Sequence, residues 1–549
     1  MNRNIKRRIP VIGTVGMLFV LLMGIRYWFD VESASENCGD LFLKPGYILL
    51  FLFLLAFLIL TGFLTLKKEI RPERSFFLTG LFLGLFFMAV MPGLSAPDEI
   101  SHYITSYRLS NRIMGQRELE PESGQIEIRS DDYPLEDLKR QRNTEAGTTS
   151  AKTSVLGYPV EESTYHTILN WDKLYPHTDG NTFSRQADVR TTPLVYIPQA
   201  LGMSLARLLN LNALWLLFFG KLFSLLAYLF LTYFAIKKIP FGKELIYGTA
   251  LLPMTASISS SLSYDTIILG TAFLLTAWFL DLAYGRAESG SASGERGKTV
   301  RIRDIVILCV LLMVLGPCKL VYSPLLLLFF LIPKQSFKNK GARVLSFAVL
   351  LFSLGFSMYL VNASIIHSYA SASAGSAVVQ NTKAGFTVSE LLHRPGLILQ
   401  MLCNTIVYQA EQIHLSMMGE WLGNLDLVMG IPYFLSILFS LGLLGLAFKK
   451  PGEVRQMKKD ARVWTWLILI GIFLLMAGAM LVAWTERNSK VIEGIQGRYF
   501  LPVLPLFLIL LKNDSVVLTS DRNREILFGF VCMDAYALLR LFATACLRL

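Results

Sequence analysis

Cysteine is scarce: Cys38, Cys309, Cys318, Cys403, Cys532 and Cys546 are scattered through 549 residues, most of them inside apolar runs. That spacing supplies neither a disulfide framework nor the clustered thiols of a metal site. Charge is sparse as well, at 17% of the chain, and it forms no basic cluster on a soluble domain. The net charge of +12 therefore does not argue for a nucleic-acid partner. No internal repeat or inverted symmetry relates the two halves, as it does in many secondary transporters. The first apolar segment lacks a small-residue cleavage site, so it reads as a retained signal anchor.

What the chain has instead is apolar length. Hydrophobic residues make up 53% and aromatics 12%, with a mean hydropathy of +0.49. The apolar residues fall in blocks that suit roughly 20-residue crossings of a hydrocarbon core. Blocks lie near 11–29, 47–66, 76–94, 212–236, 245–262, 265–284, 304–317, 319–333, 345–361, 430–448, 463–484, 499–511 and 525–545. The expected fold is an all-α polytopic membrane protein with about thirteen transmembrane helices.

Charge orients these blocks. "MNRNIKRR", "KKEIRPER", "KKIPFGK", "GRAESGSASGERGKTVRIR", "KQSFKNKGAR", "KKPGEVRQMKKDAR" and "LKNDSVVLTSDRNR" fall on one side if the helices alternate. All are rich in Lys and Arg, which marks that side, and the N-terminus, as cytoplasmic. The larger outer loops are then 95–192, richer in acids than in bases, and 362–429. The chain divides into an N-terminal two-helix segment, 1–75, a core, 76–511, and a C-terminal helix, 512–549. "SGSASGERGK" and "NTEAGTTSAKTS" read as flexible stretches.

Polar residues recur at the outer ends of the blocks. In "APDEISHY" Asp98 and Glu99 follow the third block, and a helix over 97–115 would start with Pro97 in its first turn and place His102 on the same face as both acids. Arg108 and Arg112 continue that helix. The acids suit helix capping, general-base work or a divalent cation such as Mg or Mn, with His102 as a further ligand. A second amphipathic helix is expected over 191–210.

"SYDT" places Asp265 at an outer turn, and "GPCKLVYSP" places Lys319 at another, against the positive-inside trend. "YQAEQIH" sets Glu411 and His414 three residues apart in the second outer loop. "EGIQGRYFLPVLPL" brings Gln496, Gly497, Arg498 and Tyr499 directly before a span, where a guanidinium is shaped to grip a phosphate in a fork. Inside the blocks stand two ionisable residues, Lys221 and Asp534, which serve either a polar path or a packing pair.

"APDEISHYITSYRLSNRIMG", "TTPLVYIPQALG", "LSYDTIILG", "GPCKLVYSPLLLL" and "GIQGRYFLPVLPL", in this order, resemble the bacterial multipass family called domain of unknown function 2142. That family in turn resembles the GT-C superfamily, membrane glycosyltransferases that take a sugar from a polyprenyl-phosphate carrier at the outer face. The resemblance implies a catalytic acid in the first outer loop, here Asp98 or Glu99, and carrier-phosphate binding by Lys319 and Arg498. The polar residues recurring at the span ends, His102, Asp265, Glu411, His414, Gln496 and Tyr499, are the expected substrate contacts. One departure is visible: two spans precede the one before the acids, where the superfamily has none.

The expected function is therefore transfer of a sugar from a polyprenyl-phosphate carrier to a cell-wall or lipid-linked glycan at the outer face of a bacterial cytoplasmic membrane. A transporter or flippase of a lipid-linked glycan is the alternative.

Overall fold

The computed structural model describes residues 3–38, 41–67, 69–91, 93–116, 125–132, 180–184, 192–285, 299–371, 386–423, 429–453 and 457–547. Both stretches read as flexible, 143–154 and 289–298, lie outside them.

Three helices open the chain: α1 (Arg3–Cys38), α2 (Leu43–Leu66) and α3 (Pro72–Val90). α2 is apolar on every side, as a helix bathed in lipid on one face and packed on the other must be. Its exposed Leu49, Leu52 and Phe53 face outward while Leu54, Phe57 and Leu58 are buried. α4 (Glu99–Ile113) follows, then the strand β1 (Glu127–Arg129), which pairs antiparallel with β2 (Asn181–Phe183). Next come α5 (Ile197–Leu208), α6 (Ala213–Lys238), α7 (Lys243–Ala250), α8 (Pro253–Ser259), α9 (Asp265–Tyr284) and α10 (Ile302–Cys318). A 3-10 segment, Leu320–Leu331, leads to α11 (Lys340–Ser371), α12 (Val388–His393), α13 (Pro395–Met418), α14 (Tyr433–Ala447) and α15 (Lys459–Ala483). A short 3-10 turn, Gly497–Phe500, precedes α16 (Leu504–Leu511) and α17 (Asn523–Leu547).

Among the described residues eight helices are long and apolar enough to cross a membrane. They are Thr14–Asn37 of α1, α2, α3, α6, α9, Lys340–Val361 of α11, α15 and Asn523–Cys546 of α17. Leu320–Leu331 and α14 are shorter apolar segments. Two expected blocks are broken by proline. Block 245–262 is two short helices, α7 and α8, because Pro253 has no N–H to continue the first and is suited to start the second. Block 499–511 is a 3-10 turn and the eight-residue α16, with Pro505 in its first turn. The stretch 362–429, read as an outer loop, holds the 24-residue α13.

Among the described residues, four of the segments expected on one side, or residues directly beside them, meet at one end of the bundle. Lys512 Nζ lies 2.7 Å from Glu244 and 3.0 Å from Glu453, which joins three of the basic segments. Arg524 donates to the carbonyls of Thr65 and Ile70, adding a fourth. At the other end, the amphipathic helix expected over 191–210 is found as a 3-10 lead, Pro193–Tyr196, and α5, which buries Gln199, Met203 and Arg207 while Leu201, Leu205 and Leu208 are exposed. Arg207 donates to Ser110 and Asn111, which locks α5 onto α4.

Candidate functional site

The two acids of "PDE" part company at the start of α4. The helix begins at Glu99, so Pro97 stands outside it and Asp98 is the capping residue, with left-handed backbone (φ 57°). Aspartate is one of the few residues other than glycine that tolerates this conformation. The turn throws the two side chains in different directions. Asp98 is 71% exposed, whereas Glu99 is buried. Glu99 accepts hydrogen bonds from the Ala96 and Leu262 amides, both at 3.0 Å, and pairs with Lys221 at 3.1 Å.

Asp265 is the first residue of α9, Lys319 closes α10, and Arg498 sits on the 3-10 turn Gly497–Phe500. Lys319 Nζ donates to Asp265 Oδ1 at 2.6 Å. The Arg498 guanidinium lies between carboxylates, with Nε 3.8 Å from Asp265 Oδ2 and Nη2 3.7 Å from Asp98 Oδ2. Tyr499 presents its ring to both cations, 4.5 Å from Lys319 Nζ and 5.5 Å from Arg498 Cζ. Burial opposes the charge of Arg498, but Asp265, Tyr499 and Asp98 outweigh it and hold its pKa above the usual arginine value.

The arginine turn is clamped from two sides. The Gly497 amide donates to Ser416 Oγ at 3.1 Å, and a Cβ at Gly497 would stand 2.1 Å from the Ile413 carbonyl oxygen of α13. Only glycine permits this approach. From the other side Tyr322 donates its hydroxyl to the Tyr499 carbonyl at 2.7 Å. "GPCKLVYSP" therefore supplies a cation and a brace for the turn that carries Arg498.

His102 is buried one turn into α4. Its Nδ1 shares a 2.8 Å hydrogen bond with the Tyr196 hydroxyl, and its ring meets the Tyr264 ring edge to face at 4.7 Å. Burial lowers its pKa to about 4, against the opposing pull of Asp265 and Asp98, so it is neutral at pH 7. Among the described residues no group of three His, Cys, Asp or Glu side chains is placed to hold a metal ion. The donor set expected for a divalent cation does not fit one: Glu99 faces Lys221, His102 faces Tyr196, and Asp98 faces Arg498.

Glu411 and His414 do not join this cluster. Glu411 is exposed on α13, where it helps, after burial, to raise the pKa of Glu420. His414 Nε2 bonds Ser440 Oγ of α14 at 2.7 Å and lines a cavity of about 450 Å³ between α13, α15 and the stretch 500–507. Thr405, Ile413, Phe473, Phe500 and Phe507 form much of its wall, which is almost entirely apolar. Phe500 opens this cavity two residues from Arg498.

Two polar atoms of "QGRY" are orphaned. Gln496 Oε1 and Arg498 Nε are buried and have no hydrogen-bond partner among the described residues. Lys221 is paired, but both carboxylate oxygens of the buried Asp534 lack such a partner. Tyr196, Tyr264 and Tyr322 are not among the expected site residues, although they lie in "TTPLVYIPQALG", "LSYDTIILG" and "GPCKLVYSPLLLL"; the signal for them is a tyrosine recurring near a charged or polar residue at the end of an apolar block.

None of the curated proteins and none of the solved structures matches the chain. One family model does, that of "Predicted membrane protein (DUF2142)", over residues 81–507. Those residues contain Asp98, Asp265, Lys319 and Arg498 together with the helices that present them, and the chain belongs to this family of predicted membrane proteins.

Proposed function

We propose that this protein is a GT-C-like glycosyltransferase of about thirteen spans, lying in a bacterial cytoplasmic membrane with its N-terminus inside and its site at the outer face. The observation that carries the reading is the junction of an apolar cavity with a paired-charge site. Phe500 lines a cavity suited to an isoprenoid tail, and Arg498, two residues away, carries a buried N–H without an acceptor beside Lys319. A lone buried donor costs about 1–3 kcal/mol, which a phosphate oxygen would recover.

In the reaction, the carrier phosphate rests on Arg498 and Lys319, and Asp265 holds the two cations in register before the carrier arrives. Asp98, the exposed acid, takes the proton of an acceptor hydroxyl. The acceptor oxygen forms a bond to the anomeric carbon as that carbon's bond to the phosphate oxygen breaks, with inversion. The negative charge left on the phosphate is stabilised by the two cations, which are already in place. Gln496, with a free acceptor oxygen, is suited to receive a hydroxyl of sugar or acceptor. The acceptor is a cell-wall polymer or lipid-linked glycan, and no step calls for a metal.

The test is transfer from a radiolabelled polyprenyl-phospho-sugar to membrane acceptors by the purified protein in vesicles. Transfer by wild type, lost in Asp98→Asn, supports the reading. Movement of a lipid-linked glycan across the vesicle membrane with no new glycosidic bond would replace it with the flippase alternative.

A further inference from the structure

Glu99 stands beside the exposed acid yet does none of its chemistry, because every contact it makes is internal. One carboxylate oxygen accepts from the Ala96 amide, in the turn that carries Asp98. The other accepts from the Leu262 amide, in the turn that leads to Asp265. The same oxygen that holds Leu262 is 3.1 Å from Lys221 Nζ on α6. A single buried carboxylate thus spans the two turns whose acids face Arg498. Its charge matters twice over: two backbone N–H groups bond a carboxylate more strongly than a neutral amide, and the buried ammonium beside it fixes the position of the carboxylate. Gln199 adds to the same junction by donating to the Leu262 carbonyl at 3.4 Å.

We propose that Glu99 and Lys221 are a positioning pair: the Glu99 carboxylate, held by Lys221, staples the Asp98 turn to the Asp265 turn and so sets the separation of the two acids across Arg498. The catalytic part of this proposal rests on the reading of Asp98 as the base, while the staple itself does not. The pair lies below the substrate-facing residues and touches no reacting atom. Glutamine at 99 keeps the shape but presents an NH2 where one of the two amides needs an acceptor, so the link between the two turns is broken and neither is held by the other. Methionine at 221 removes the ammonium that fixes the carboxylate, and so frees the group on which both arms converge.

The experiment has two arms, both on the full chain in lipid nanodiscs. The first is hydrogen–deuterium exchange of peptides covering 94–103 and 258–266 in wild type, Glu99→Gln, Lys221→Met and the double variant Glu99→Gln/Lys221→Met. The double variant removes both charges at near-constant volume, so it keeps the test open if a single variant fails to fold. Exchange should accelerate by about tenfold or more in both peptides together, since both amides lose protection when the staple opens. Acceleration in one peptide alone, or in neither, overturns the proposal.

The second arm is transfer kinetics with the polyprenyl-phospho-sugar. The variants should lose kcat by about tenfold or more with KM for the carrier changed less than about threefold, because Arg498 and Lys319 remain. A general loss of fold would instead abolish carrier binding with turnover, and that result in a variant with normal exchange elsewhere also overturns the proposal. If wild type transfers no sugar at all, the glycosyltransferase reading fails, and the exchange arm still decides whether the staple exists.

Discussion

The Arg498 guanidinium lies 3.7 Å from the Asp98 carboxylate, yet one of the two side chains is 8% exposed and the other 71%. An ion pair half in water holds its exposed member weakly, since solvent and salt screen it. Asp98 is thus attracted to Arg498 without being locked against it, as the base proposed for an acceptor hydroxyl would need to be. Asp265, also beside Arg498, is buried and bonded to Lys319, and it keeps the cations in place.

Asp98→Asn should separate binding from turnover. The carboxamide keeps the size of the side chain and removes its basicity, so sugar transfer should fall by at least about a hundredfold. Binding of the carrier lipid, measured on the same purified variant, should stay within about twofold of wild type, because the phosphate is assigned to other residues. Normal transfer by Asp98→Asn would remove the acid from the mechanism.

Arg498→Ala and Arg498→Lys should behave differently from this and from each other. Loss of the guanidinium removes the proposed phosphate contact from both ground and transition states, so carrier affinity and turnover should both drop. Lysine restores the charge but not the planar fork, and should recover only part of the binding. Full recovery by lysine, in a filter-binding assay with polyprenyl phosphate, would show that charge alone is needed.

Much of this site is readable in the sequence, and the misreadings have physical causes. Asp98, Asp265, Lys319 and Arg498 stand out because each lies at the end of an apolar run, a position where charge is costly without a partner. Helix alternation places all four at one end of the bundle, and packing brings them together there. Helical spacing groups Glu99 and His102 with Asp98, and this misleads because Asp98 is not in the helix but in a left-handed turn before it. The same depth argument draws in Glu411 and His414. Depth along the membrane normal is legible from hydropathy, whereas position around the bundle depends on packing that one sequence does not display. The same limit applies to 245–262 and 499–511, where prolines divide apolar runs into short pieces.

Gly497→Ala should disable the site without touching a charged group. The new methyl would meet the Ile413 carbonyl at 2.1 Å and the Met417 amide nitrogen at 2.3 Å, both backbone atoms of α13 that no rotamer change can move aside. Such overpacking costs about 1–3 kcal/mol, and here it must displace the turn that carries Arg498. The expected result is a lower thermal unfolding temperature together with weakened carrier binding. Unchanged carrier binding by the Gly497→Ala variant would mean that the turn tolerates displacement.

Orientation can be tested on two exposed positions at opposite ends of the bundle. In a background with the exposed Cys403 replaced, cysteine at Asn488 should react with a membrane-impermeant maleimide in intact cells, and cysteine at Asn339 should react only after permeabilisation. The basic segment around Asn339 predicts its retention inside. The reverse pattern would put the Asp98 and Arg498 end in the cytoplasm and remove the outer-face chemistry.

The last prediction concerns acid sensitivity. His102 lies on α4, outside the eight spans, and burial lowers its pKa from 6.5 to about 4. Between those values the unfolded chain binds a proton that the folded chain refuses, so stability rises with pH across this window. The contribution is fully present above about pH 6.5 and is lost as pH falls toward about pH 4, a difference of up to about 3 kcal/mol. His102→Gln keeps a partner for the Tyr196 hydroxyl and cannot be protonated in this range. Thermal unfolding of nanodisc-embedded protein from pH 4.5 to pH 7 should therefore show a steeper acid-side loss in wild type than in His102→Gln. Parallel curves for the two would mean that the protonated imidazole is accommodated, with Asp265 and Asp98 supplying the counter-charge, and His102 would then be a cation at the site under acidic conditions.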